Sequence, residues 1–142
     1  MTRRALEELP SHECFALLRT QRVGRLVYQD ELGPAAVPVT YAVAGEDILF
    51  RSMDGSKIRA LAGHDVAFEV DHVDDAAQSG WSVLVRGAGE IVELEHVPAL
   101  LGRVEGDPPL PWKTGVHGIW AVIRAKRITG RRLGDPASDL VF

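Results

Sequence analysis

A single cysteine, Cys14, occurs in the 142 residues, which excludes an internal disulfide and suits a reducing compartment. No apolar run approaches the ~20 residues that a membrane-spanning helix needs, and the first residues lack the apolar block of a secretory signal. A cytoplasmic location without a membrane partner is the expectation. Excess positive charge is also missing. The formal net charge of −4 offers no general attraction to nucleic acid. Asp71, His72, Asp74 and Asp75 have mixed spacing and no second cluster, so they read as a solvated loop and no metal site is expected. Gly87 and Gly89 lack a third glycine and open no helix, so a dinucleotide fingerprint is not supported. What is present is 46% hydrophobic residues, enough for one domain over residues 1–142 with a real core. Residues 1–10 and 134–142 read as loose tails.

The periodicity is mostly that of strands. A helix capped by Ser11 is expected to run to about Arg19, with Cys14, Phe15, Leu17 and Leu18 buried; on that apolar stripe Cys14 is a core thiol. From Val23 the period becomes two. Strands are expected at 23–28, 37–43, 48–52, 65–71, 81–93 and 119–128, with a polar loop after Asp71 and a helix from Glu95 to about Val104. Pro38 lacks a ladder donor, which implies an edge, a bulge or a strand bordering a cleft. Gly87 and Gly89 suggest a bend that lets a sheet curl. Residues 105–118 are rich in proline and glycine and must be irregular. Arg131, Arg132 and a polar tail are expected beyond the last strand. Six or seven strands, three short helices and no βαβ rhythm predict a mainly β fold, an antiparallel barrel with a few helices.

Residues 37–62 carry the most chemistry. A hairpin turns at Gly45-Glu46-Asp47, returns along Ile48 to Arg51, and reaches Asp54-Gly55-Ser56-Lys57, where a short helix is expected to begin. Free amides at a helix start favour an anion. Gly55 permits close approach, Ser56 offers a hydroxyl, and Lys57 and Arg51 offer a point charge and a planar fork. A phosphorylated ligand fits this arrangement; so does a surface Asp-Gly turn followed by a solvated lysine. Trp112 and Lys113, in the irregular loop, could lie over a planar ligand or a partner subunit, or simply pin the loop.

Taken in order, VGRL, VPVTY, ILFRS, GSK, AFEVD, WSVLVRG and ITGRR resemble the pyridoxamine 5'-phosphate oxidase-like family of flavin mononucleotide-binding split β-barrels. Within that family they resemble the small actinobacterial-type members and the nitroimidazole-reductase-like branch. The resemblance spans roughly residues 11–133. It implies a homodimer with flavin mononucleotide at the subunit interface. It places Pro38, Val39 and Thr40 along the ring system and Phe50, Arg51 and Ser52 beside the ring and ribityl chain. Ser56 and Lys57 would hold the phosphate. Ser82 would reach a flavin from the later barrel strand, and Trp112 and Lys113 would close the site.

The basic and aromatic C-terminal residues with which pyridoxamine phosphate oxidases hold their vitamin substrate are not found, so that activity is not implied. The resemblance instead implies an oxidoreductase acting on a small organic substrate, the cofactor carrying the redox chemistry. Two alternatives stay open: a non-catalytic flavin-binding module for storage or sensing, and a deazaflavin-dependent reductase. Tyr41 and the histidines could donate protons, but no side chain stands out as a catalytic acid or base.

Overall fold

Apolar side chains on every second residue bury one face of a strand and leave the other to solvent or to a covering element. The computed structural model describes residues 6–52, 58–59, 61–109 and 118–134. Within them lie β1 (Leu6–Glu8), β2 (Val23–Asp30), β3 (Gly33–Ala44), β4 (Asp47–Ser52), β5 (Asp65–Asp74), β6 (Ser79–Ile91) and β7 (Ile119–Leu133). They form one antiparallel sheet in the order β1-β7-β4-β3-β2-β5-β6, and β6 pairs again with β7. That pairing closes β2 to β7 into a six-stranded barrel, with β1 added at the end of β7. The helices are α1 (Ser11–Leu18) and α2 (Val97–Leu101); a 3₁₀ turn at Leu94–His96 precedes α2. Residues 58, 59 and 61 are also helical.

The barrel interior takes the alternating apolar residues. Leu26 and Tyr28, Val39 and Tyr41, Ile48 and Phe50, Val66, Phe68 and Val70, Trp81, Val83 and Val85, and Ala121 and Ile123 meet there. Cys14, Phe15 and Leu18 of α1 join the same cluster. Each large side chain so buried contributes on the order of 1.5–3 kcal/mol. Tyr41 and Phe68 pack edge to face, with ring centres 5.0 Å apart. On the outer face, α2 lays Val97 and Leu100 over Leu49 and Val122, a smaller second core. The expected bend is a β-bulge: the β6–β7 register shifts between Arg86 and Gly87.

Several boundaries differ from the sequence reading. Part of the supposed N-terminal tail is β1, whose Glu7 and Glu8 stand opposite Arg132 and Arg131; three residues are too few to display a period, and opposite charges across the strands favour the pairing. Ser11 is not the cap of α1. Pro10 is, and its carbonyl accepts the amides of Glu13 and Cys14. The polar stretch after Asp71 continues β5 and β6 as one long hairpin with only residues 75–78 in the turn. The helix placed at 95–104 is shorter, because Pro98 in its first turn fixes its start and the chain leaves the helix at Gly102. Arg131 and Arg132 belong to β7, which continues because β6 and β1 flank its last residues. The reading of residues 135–142 as a tail falls outside the described residues.

Candidate functional site

Strand β3 changes partners halfway. Residues 33–40 pair with β2, residues 40–44 pair with β4, and Thr40 is in register with both Val23 and Arg51. Along residues 33–39, the edge facing away from β2 therefore has no strand beside it among the described residues. Pro38 sits on this stretch, where its missing N–H costs nothing. Unpaired backbone groups on such an edge suit a planar ligand that presents its own donors and acceptors.

Outward-facing side chains beside that edge come from β3, β4 and β7. Thr40 stands opposite Arg51, and Arg51 opposite Trp120. The Arg51 guanidinium carbon lies 5.0 Å from the centre of the Trp120 ring, a cation–π contact that fixes the planar fork without satisfying it. Arg51 Nε is buried and has no hydrogen-bond partner among the described residues. Such an orphan donor calls for an acceptor. Behind it, Gly118 lies so close to Ser52 that an added Cβ would be 2.8 Å from the Ser52 carbonyl oxygen. On the other side of Thr40 opens a cleft of about 510 Å³, bordered by Arg19, Arg22, Thr40, Ala42 and residues 105–109. Arg22 and Asp107 pair at 2.7 Å beside it.

The structure thus brings Pro38, Val39, Thr40, Arg51 and Ser52 together. Val39 and Phe50 point their side chains into the core, and Phe50 is further held between β3 and β7. Its backbone is the part that borders the region. Ser82 is elsewhere. It pairs with Asp71 and Arg131, whereas Arg51 pairs with Trp120; residues 120 and 131 are separated by ~35 Å of extended β7. Gly55, Ser56, Lys57, Trp112 and Lys113 lie outside the described residues.

Titratable groups sort into structural and unassigned. Tyr41, considered above as a proton donor, is buried and donates its hydroxyl to the Leu18 carbonyl; burial pushes its phenol well above the ordinary value. Its proton is committed to closing α1 onto the barrel. Burial, then the neighbouring Glu13 charge, raises the Cys14 thiol, as a core cysteine should behave. Glu69 was missed by sequence reasoning. It is pushed up to about 7, first by burial, then by a hydrogen bond and the charge of Asp71, against the pull of Arg25. The two-residue period of AFEVD already puts Glu69 and Asp71 on one outer face; the burial that raises Glu69 was not visible there. Among the described residues no three histidine, cysteine or acidic groups are placed to hold a metal ion.

A closed antiparallel barrel with a half-free strand edge among the described residues defines the split β-barrel class of fold. Residues 10–132 match the family model described as pyridoxamine 5'-phosphate oxidase, and the chain belongs to that family. An uncharacterized protein of Mycobacterium tuberculosis is 29% identical over 92% of this chain and 87% of its own. The solved structure of an FAD binding protein from Mycobacterium smegmatis superposes with a TM-score of 0.69 at 27% identity, covering 92% of this chain and all (100%) of the other. A candidate pyridoxamine 5'-phosphate oxidase from Corynebacterium glutamicum superposes at 0.71 with 28% identity, over 95% and 100% of the two chains.

Proposed function

We propose that this chain binds a flavin, as flavin mononucleotide, on the free edge of β3, and that it does so as a homodimer. The observation that carries the proposal is the Arg51 Nε, held over Trp120 without a hydrogen-bond partner among the described residues, beside a strand edge that has no neighbour among them. A flavin ring offers acceptors to such a donor and polar edges to such a backbone. The similarity to an FAD binding protein of Mycobacterium smegmatis supports the choice of ligand class.

Pro38, Val39 and Thr40 would line the ring, with Arg51 and Ser52 toward the ribityl chain. Ser56 and Lys57 come shortly after β4 in sequence and are the residues to grip the terminal phosphate. Ser82, on β6 opposite Arg131, stands far along the sheet from Arg51 and Trp120 and is left out of this proposal. The site itself is proposed to lie between two copies of the chain. Trp112 and Lys113 would close it.

Bound flavin supplies reversible hydride and electron transfer to a small organic substrate; the chain's own part is to orient the ring and exclude water. The cleft beside Thr40 leaves room for that substrate. Because Tyr41 is tied to Leu18, no described side chain near the edge is offered as a catalytic acid, and a non-catalytic flavin carrier is the second reading. An absorption band near ~450 nm in the purified protein, characteristic of the cofactor itself, tests the first claim. Mass analysis of the released chromophore separates flavin mononucleotide from FAD and from a deazaflavin. NADPH-driven reduction with any acceptor would separate oxidoreductase from carrier.

A further inference from the structure

We propose that the outer face of β6 and β7 carries a second ligand site, for a phosphate-bearing anion, with a diphosphate the best match. This proposal does not rest on the flavin reading, since the groove lies at the opposite end of β7 from Arg51.

The outward positions on these strands are Ser82, Leu84 and Arg86 facing Arg131, Thr129 and Arg127 in register. They floor a groove of about 540 Å³ that Glu8, Leu9 and Glu69 help to border, a size suited to a small ligand. Arg86 and Arg127 are directly opposed. Like charges in that position destabilise a sheet. Six other arginines of the described residues, Arg19, Arg22, Arg25, Arg103, Arg124 and Arg132, each reach a carboxylate within the ion-pair distance. Arg86, Arg127 and Arg131 reach none among the described residues.

The nearby acids do not neutralise the pair. Glu69 is engaged by Arg25 at 3.5 Å and holds its proton up to about pH 7. Glu8 pairs in register with Arg131 but makes no ion pair with it. The β-bulge falls at the step where Arg86 meets Arg127, and bulges re-aim side chains near binding sites. Lys126, the extra residue at that bulge, is drawn aside to Asp65 at 2.9 Å. Two unneutralised planar forks side by side, with the hydroxyls of Ser82 and Thr129 in the same groove, are matched by phosphate oxygens, which accept bidentate donors.

Titration calorimetry and thermal melts of the full-length protein with inorganic pyrophosphate, at constant ionic strength, test this. Wild type is expected to bind and to melt higher with pyrophosphate. Arg86→Gln and Arg127→Gln should each weaken binding roughly tenfold or more, the scale of a charge-assisted contact. The double variant should melt no lower than wild type without pyrophosphate, because the repulsion is gone, and should gain nothing from adding it. Lys126→Gln should bind as wild type does. Adenosine diphosphate binding tighter than pyrophosphate would identify a nucleotide as the source; equal binding, a free diphosphate. Unchanged affinity in Arg127→Gln, displacement of bound flavin by pyrophosphate, or a groove that binds nothing but falls into monomers on mutation would each overturn the proposal.

Discussion

A Cβ placed on Gly87 would stand 2.0 Å from the carbonyl oxygen of Arg124. The two residues meet at the bulge where β6 and β7 change register, and the backbone of β7 leaves no room for a side chain. Gly87→Val is therefore expected to lower unfolding stability by about 2–4 kcal/mol, since the obstruction is backbone and cannot swing aside. Urea denaturation of the two proteins checks it; an unchanged midpoint would mean that the bulge relocates freely.

Tyr41→Phe removes the hydroxyl that α1 accepts at Leu18. The carbonyl left without its donor should cost about 1–2 kcal/mol. Flavin affinity and any reductase turnover should stay as in wild type. A loss of turnover beyond the loss of folded protein would return Tyr41 to the list of proton donors.

The Glu69 carboxyl titrates near 7 in the folded chain against an ordinary 4.5. Between those values the folded state holds a proton that the unfolded chain has released. Stability must then fall as pH rises from about 4.5 to 7 and level off above, as far as this group is concerned. Glu69→Gln should flatten that part of the profile and raise stability at pH 8, with Arg25 still paired to Asp71 at 2.8 Å. Melting temperatures of both proteins from pH 4.5 to 8 decide it. Parallel profiles would show that Glu69 carries no such linkage.

Arg51→Lys keeps the charge but loses the planar fork over Trp120. Flavin affinity should drop by about 1–2 kcal/mol with either Lys or Ala at this position, the range of a cation–π contact plus a hydrogen bond to a charged donor. Full rescue by Lys, measured by fluorescence titration, would mean that only charge matters there.

Strand alternation made the barrel legible before any coordinates, because a two-residue period in VGRLVY, AFEVDHV and WSVLVRG reports burial directly. The bulge at Gly87 was legible for the same reason that its substitution is costly: few other residues fit. What stayed hidden depends on long-range pairing. β1 has no period of its own and exists through β7. The partner change at Thr40, the orphaned Arg51 and the opposed Arg86 and Arg127 are facts of register, which a linear pattern does not display. The separation of Ser82, on β6 opposite Arg131, from Arg51, opposite Trp120, is likewise a matter of register.

The account depends most on an anion held just past β4, next to a ring lying on β3. Titrating the cofactor-free protein with flavin mononucleotide and with riboflavin, in wild type and Lys57→Ala, tests this most directly. Wild type should prefer flavin mononucleotide, and Lys57→Ala should lose about 1–3 kcal/mol for it, as expected of one charge-assisted phosphate contact, while riboflavin is little affected. Equal losses for both ligands, or no quenching of flavin fluorescence by wild type at all, would contradict the account.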